Sequence, residues 1–134
     1  VTNQDGDFTV LLSSKQSAGT ILSVFSTDNA DNNSSITEVI VVDKTAPIKP
    51  VVNVVKDSDT HVTGTAEAGS TILVSVESKT LGSVKTNSNG SFDVIIAKQL
   101  AGTVLTIVST DSAGNSSATV QVTVVDKTPP MKPV

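Results

Sequence analysis

Residues 98–134 read KQLAGTVLTIVSTDSAGNSSATVQVTVVDKTPPMKPV, and residues 15–51 read KQSAGTILSVFSTDNADNNSSITEVIVVDKTAPIKPV. The two stretches are offset by 83 residues and agree at 22 of 37 positions. A period of this size is one small domain rather than one turn of a solenoid. The chain of 134 residues holds little more than one and a half periods and reads as a slice of a tandem array. Within the echo, TVLTIVST (103–110) and ATVQVTVV (118–125) alternate apolar and polar residues in twos, the period of a half-buried strand.

The same alternation runs outward from the echo. Strands are expected near 51–55, 60–66, 71–78, 81–87, 91–96, 103–110 and 118–125, rich in Val, Thr, Ser and Ile. Seven short strands separated by Gly-, Asn- and Ser-containing turns predict an all-β fold, an immunoglobulin-like β-sandwich in tandem repeats of about 83 residues. Strand parity names the core. Ile72, Val74 and Val76 face one way and should meet Phe92, Val94 and Ile96, then Leu105 and Ile107, then Val120, Val122 and Val124. Val62 and Ala66 join from the second strand, with Gly64 between them. Phe8, Val10, Leu22, Val24, Val39 and Val41 should form the corresponding face of the first copy.

Asn89-Gly90 between two alternating runs is the sequence signature of a type I′ hairpin, and Asp5-Gly6 stands at the matching place in the first copy. The proline-bearing segments 43–50 and 126–133 cannot enter a sheet interior, because proline has no amide donor. They predict extended, fairly stiff linkers. Residues 1–43 are thus expected to be the C-terminal half of one repeat, with its last four strands. Residues 44–127 are expected to be a complete repeat, and 128–134 the start of the next linker or repeat. The chain begins at Val1 and its one methionine is Met131, so the parent protein is expected to continue upstream.

Bulk properties narrow the function. Nine lysines, no arginine and a net charge of −4 give no basic surface for nucleic acid. No apolar run reaches membrane-spanning length. Three phenylalanines are the whole aromatic complement, so the Trp and Tyr platforms favoured for sugar stacking and protein hot spots are missing. There is no cysteine to staple the fold.

Thr110-Asp111-Ser112-Ala113-Gly114-Asn115-Ser116-Ser117, an alternating strand, and Val125-Asp126-Lys127-Thr128-Pro129-Pro130 together closely resemble the end of bacterial Ig-like repeats. Val62-Thr63-Gly64-Thr65-Ala66-Glu67-Ala68-Gly69-Ser70 and Asn89-Gly90-Ser91-Phe92 fit the same pattern, so the resemblance covers essentially the whole chain. Such repeats form the stalks of large adhesins and biofilm-associated proteins. The resemblance implies an extracellular module of the bacterial cell surface or cell wall. Its partners would be the neighbouring repeats and, in one alternative, other copies of the same protein. The first copy departs from the pattern: Asp31 stands where Gly114 stands in the second, so that loop either differs or holds Asp31 at positive φ.

Strand direction sends the loops around Glu67, 87–90 and 111–117 to the end of the sandwich that the linker from Asp43 reaches. Asp43, Glu67 and Asp111, with Asn115 or carbonyls, are therefore candidate calcium ligands at a junction, with Asp126 beginning the outgoing set. The resemblance supports this, since stalks of this kind often stiffen their junctions with calcium. The competing reading makes Asp111 and Asn115 a self-closing Asx loop and Asp43 a strand cap. Asp57-Ser58-Asp59, at the opposite end where it could face the next repeat, reads as a solvated turn, and His61, a neighbour of Asp59, as an outward-facing surface residue. Lysines fall at loop, linker or outward positions such as Lys85, which argues against a Lys–Asn isopeptide cross-link. No nucleophile–base pair suggests an enzyme. The expected function is a non-catalytic spacer. Its alternatives are a self-adhesive repeat and an accessory module of a secreted enzyme.

Overall fold

The computed structural model describes residues 1–134. They divide into two compact units, Val1–Asp43 and Lys44–Val134. The first holds β1 (Ile21–Val24) and β2 (Thr37–Ile40). The second holds β3 (Val51–Val52), β4 (His61–Thr65), β5 (Thr71–Val76), β6 (Lys79–Lys85), β7 (Ser91–Ile95), β8 (Val104–Thr110) and β9 (Val120–Thr123). No helix is present.

In the second unit the strands form two antiparallel sheets, β3-β4-β7 and β6-β5-β8-β9. This is the immunoglobulin-like sandwich that the alternation predicts. The inward faces meet as expected. Val62, Ile72, Val74, Leu105 and Ile107 are fully buried, and Phe92, Val94, Ile96 and Val124 nearly so. Val76, Ala66 and Val122 pack at the margin of this cluster, and Val120 is half-buried.

Three local expectations are corrected. First, the strand expected at 51–55 is regular only at Val51–Val52. The chain then leaves β4 and crosses to the other sheet. There the Val125 amide donates to the Val55 carbonyl at 2.9 Å, and Lys56 bridges Val125 in parallel. The crossing drops Val55 into the core.

Second, the break expected near 79–80 lies two residues earlier. Glu77 (φ 46°) and Ser78 (φ 71°) make a two-residue turn, and Val76 pairs with Lys79. Both turn residues take positive φ without glycine, so the sequence does not advertise the turn.

Third, Asn87–Gly90 is not a type I′ hairpin. Gly90 has φ 83° while Asn89 is not at positive φ. Strands β6 and β7 belong to different sheets, so the loop carries the chain from one layer to the other. The Gly90 amide donates to the Asn87 carbonyl at 3.0 Å, and the Ser91 amide donates to Asn87 Oδ1 at 2.8 Å.

The first unit repeats the local structure of the second without its layers. The β1–β2 ladder pairs Ile21 with Ile40 through Val24 with Thr37, the same four steps as Val104 with Thr123 through Ile107 with Val120. The expected four strands are reduced to these two, with Phe8 and Val10 in neither and exposed. Leu22, Val24 and Val41 are half-buried and Val39 is exposed, so the expected core face does not close. A two-stranded ribbon has no opposing sheet to cover its apolar side.

Candidate functional site

Two ends of the second unit carry the polar structure. At the end where β3 begins, the Ala66 amide donates to the Gly90 carbonyl at 2.8 Å, which ties the loop after β4 to the loop before β7. Behind them lies a buried hydroxyl chain. Ser109 Oγ donates to Ser70 Oγ, and Ser70 Oγ donates to the Glu67 carbonyl, each at 2.7 Å. Thr86 Oγ1 donates to the same carbonyl at 2.7 Å. The Ser109 amide donates to Ser117 Oγ at 3.1 Å. Ser70, Thr86, Ser109 and Ser117 are all buried, and no buried side-chain polar atom lacks a partner. The sequence carried a signal for this: Ser109 continues the inward parity of Leu105 and Ile107.

Asp111 closes its own loop. Its Oδ1 accepts the Ala113 amide at 2.9 Å and the Asn115 amide at 2.8 Å, and its Oδ2 accepts the Asn115 side-chain amide at 2.9 Å. These donors, the Asn115 side chain foremost, hold the carboxyl below the usual carboxylate range. Asp28 does the same in the first unit with Ala30 and Asn32. There the Asn32 amide is the main cause of the lowered pKa. Asp31 takes φ 63° where Gly114 takes 88°, so the loop is kept and the left-handed position is filled by aspartate.

The calcium candidates are placed as follows. Glu67 is exposed and contributes its carbonyl to the hydroxyl chain. Asp111 and Asn115 are joined to each other. Asp126 turns back on its own chain, its Oδ1 accepting the Thr128 amide at 3.0 Å. Asp43 ends the first unit, half-buried and engaged in an interaction of its own. The loops around Glu67 and Asp111 do share an end through the Ser70–Ser109 bond, but within neither unit do three Asp, Glu or His side chains gather as a metal shell. Within the second unit, Glu67 and Asp111 by themselves supply two carboxylates and no complete oxygen shell.

At the opposite end, Asp57 does what the sequence reading missed. Its Oδ1 accepts the Lys127 amide at 3.0 Å, and its Oδ2 accepts the Thr128 hydroxyl at 2.5 Å. The Thr128 hydroxyl is the larger cause, and the Lys127 amide the next, of a pKa held below the ordinary value. Asp59 caps the same loop, accepting the Lys56 amide at 2.9 Å. The segment expected to be a solvated turn is therefore a docking point for the outgoing chain.

The His61 side chain is half-exposed. Its partner is Asp93 on β7, Nδ1 to Oδ1 at 2.5 Å, rather than Asp59. All nine lysines are exposed, so none is placed for an isopeptide bond in the core.

A family model described as the bacterial Ig domain matches residues 1–43 and again 46–126. The chain belongs to the bacterial Ig domain family. A Bacillus subtilis (strain 168) "Cell wall-associated protease" is 39% identical over 88 residues, 65% of this bacterial Ig chain but 10% of the protease. A solved structure titled "Biofilm associated protein - BSP domain" superposes with a TM-score of 0.57 at 28% identity, over 96% of this chain and 22% of that one. The chain thus spans about a tenth to a fifth of these longer proteins.

Proposed function

We propose that this bacterial Ig chain is a non-catalytic spacer of a cell-surface or secreted protein, repeated head to tail to hold a more distal binding domain away from the cell. One observation carries the reading: the complete unit is entered and left at opposite ends. Val51 pairs with Thr65 beside the Ala66–Gly90 loops, whereas Asp126 leaves beside Lys56 and Asp57, where the first strand has ended. A unit built this way adds its own length to a chain of like units. The six-residue strand β5 alone spans about 20 Å at roughly 3.3 Å per residue.

The surface suits that task. It bears nine exposed lysines among thirteen acids, with no Trp or Tyr to anchor a partner. The names of the two similar proteins, one cell-wall-associated and one biofilm-associated, support a place at the bacterial surface.

Antibodies raised against the chain should label intact cells of the source bacterium, and absence of label would sink the surface placement. Beads coated with the chain should stay dispersed. Clumping would overturn the spacer reading in favour of a repeat that adheres to its own copies.

A further inference from the structure

We propose that Asp57 is a latch that holds the outgoing linker to the sandwich and so sets the direction in which the chain leaves. This deepens the spacer reading and rests on it for its purpose, though not for its geometry.

Four polar groups of the motif Asp126-Lys127-Thr128 have defined partners. Asp126 Oδ1 accepts the Thr128 amide and folds the segment into a tight turn. That turn presents the Lys127 amide and the Thr128 hydroxyl side by side, and the two oxygens of Asp57 receive one each. Behind the latch, the Asp57 amide donates to the Val125 carbonyl at 3.0 Å and the Val125 amide donates to the Val55 carbonyl at 2.9 Å. Four bonds therefore join 55–57 to 125–128 in continuous order.

The physical consequence follows from the parallel run of the two segments. A pull that separates the unit's two ends loads these bonds together, in shear, rather than one after another. Without Asp57 the grip would end at Val125, and the residues before Pro129-Pro130 would swing freely, since prolines offer no amide to re-attach them. With it, the stiff proline segment starts from a fixed point. A charged acceptor suits the role, because hydrogen bonds to a carboxylate are stronger than those to a neutral acceptor. Asp43-Lys44-Thr45 repeats the donor motif in the sequence at the end of the first copy.

Amide hydrogen exchange by NMR on the 134-residue chain tests this. In Asp57→Ala, the Lys127 amide should exchange about tenfold faster or more while the Val125 amide keeps its protection. Asp57→Asn, which retains one acceptor oxygen, should fall between. Thr128→Val should give a smaller acceleration and add nothing in the Asp57→Ala background. Unchanged exchange at Lys127 overturns the latch. So does a parallel rise at Lys127 and Val125, which would make Asp57 a general support of the sandwich. Should Asp57→Ala not fold, the exposed Thr128→Val carries the same test. Clumping of coated beads would remove the spacer reading while leaving these exchange rates, and the latch, intact.

Discussion

The backbone of Gly64 runs so close to Val51 that a Cβ on the glycine would stand 2.1 Å from the Val51 carbonyl oxygen. The ring of Phe92, its ladder partner, would lie 2.7 Å away on the same side. Both neighbours are fixed, one as backbone and one as a core ring that is 5% exposed. Gly64→Ala should therefore destabilise the unit by about 3 kcal/mol or more, because the strand must separate or the ring must leave its pocket. Urea unfolding of the two proteins decides it, and a midpoint within error of the parent would refute the close approach.

The hydroxyl chain predicts an ordering. Ser70→Ala removes the acceptor of a buried Ser109 hydroxyl and should cost about 1–3 kcal/mol, since a buried donor is left unmade. Ser109→Ala removes a donor that Ser70 does not need, because Ser70 still reaches the Glu67 carbonyl, and should cost about 1 kcal/mol. The double variant should cost less than the sum. The reverse order would show that the direction of donation assigned to these hydroxyls is wrong.

At the loop closed by Asp111, Gly114→Asp copies the solution found at Asp31 and should lower stability by only about 0.5–1 kcal/mol. Gly114→Val at the same φ of 88° should cost about 1–2 kcal/mol, a β-branched residue having no local hydrogen bond to offset the left-handed backbone. Thermal unfolding of both variants distinguishes a loop that needs positive φ from one that needs only a small residue.

Acid should weaken the fold from one side. Asp28, Asp57 and Asp111 all have pKa values held below 3.8 by donors present only in the folded chain. A depressed carboxyl contributes stability that is fully present above its unfolded pKa and is lost as pH falls through the folded value. Stability should thus be flat with respect to these groups from neutral pH down to about 5 and fall below about 4. Denaturant midpoints measured against pH should show this, and Asp111→Asn should flatten the acid limb. A fall that begins near pH 6 would show that groups other than these three carboxylates govern the acid limb.

Strand parity was legible because burial on one face of a sheet leaves a two-residue period in the sequence. That period alone marks Ile72, Val74, Phe92, Val94, Leu105 and Ile107 as core residues. The Glu77-Ser78 turn was not legible. Its residues carry none of the Asn or Gly that normally mark positive φ, and the alternation continues through them. The Asn89-Gly90 pair erred the other way: a dipeptide suited to a hairpin serves a crossing between sheets, because β6 hydrogen-bonds to β5 and not to β7. The calcium reading rests on the end of the sandwich that Glu67 and Asp111 share, whereas the partners their carboxylates take are set by the fold: Asp111 accepts the Ala113 and Asn115 amides of its own loop.

The sequence by itself determined the repeat and the strand faces of the second unit, and it offered the Asx loop at Asp111 as one of two readings, because each rests on neighbours close along the chain. Loop closure shows this best: Asp28 and Asp111 reach donors two and four residues away. Only the tertiary structure decided which acid matters at the exit of the unit. Asp57 and Thr128 lie 71 residues apart, and what unites them is the crossing of the first strand between sheets at Val55. No periodicity records a contact of that kind, since it depends on where two segments end in space rather than on how either one alternates.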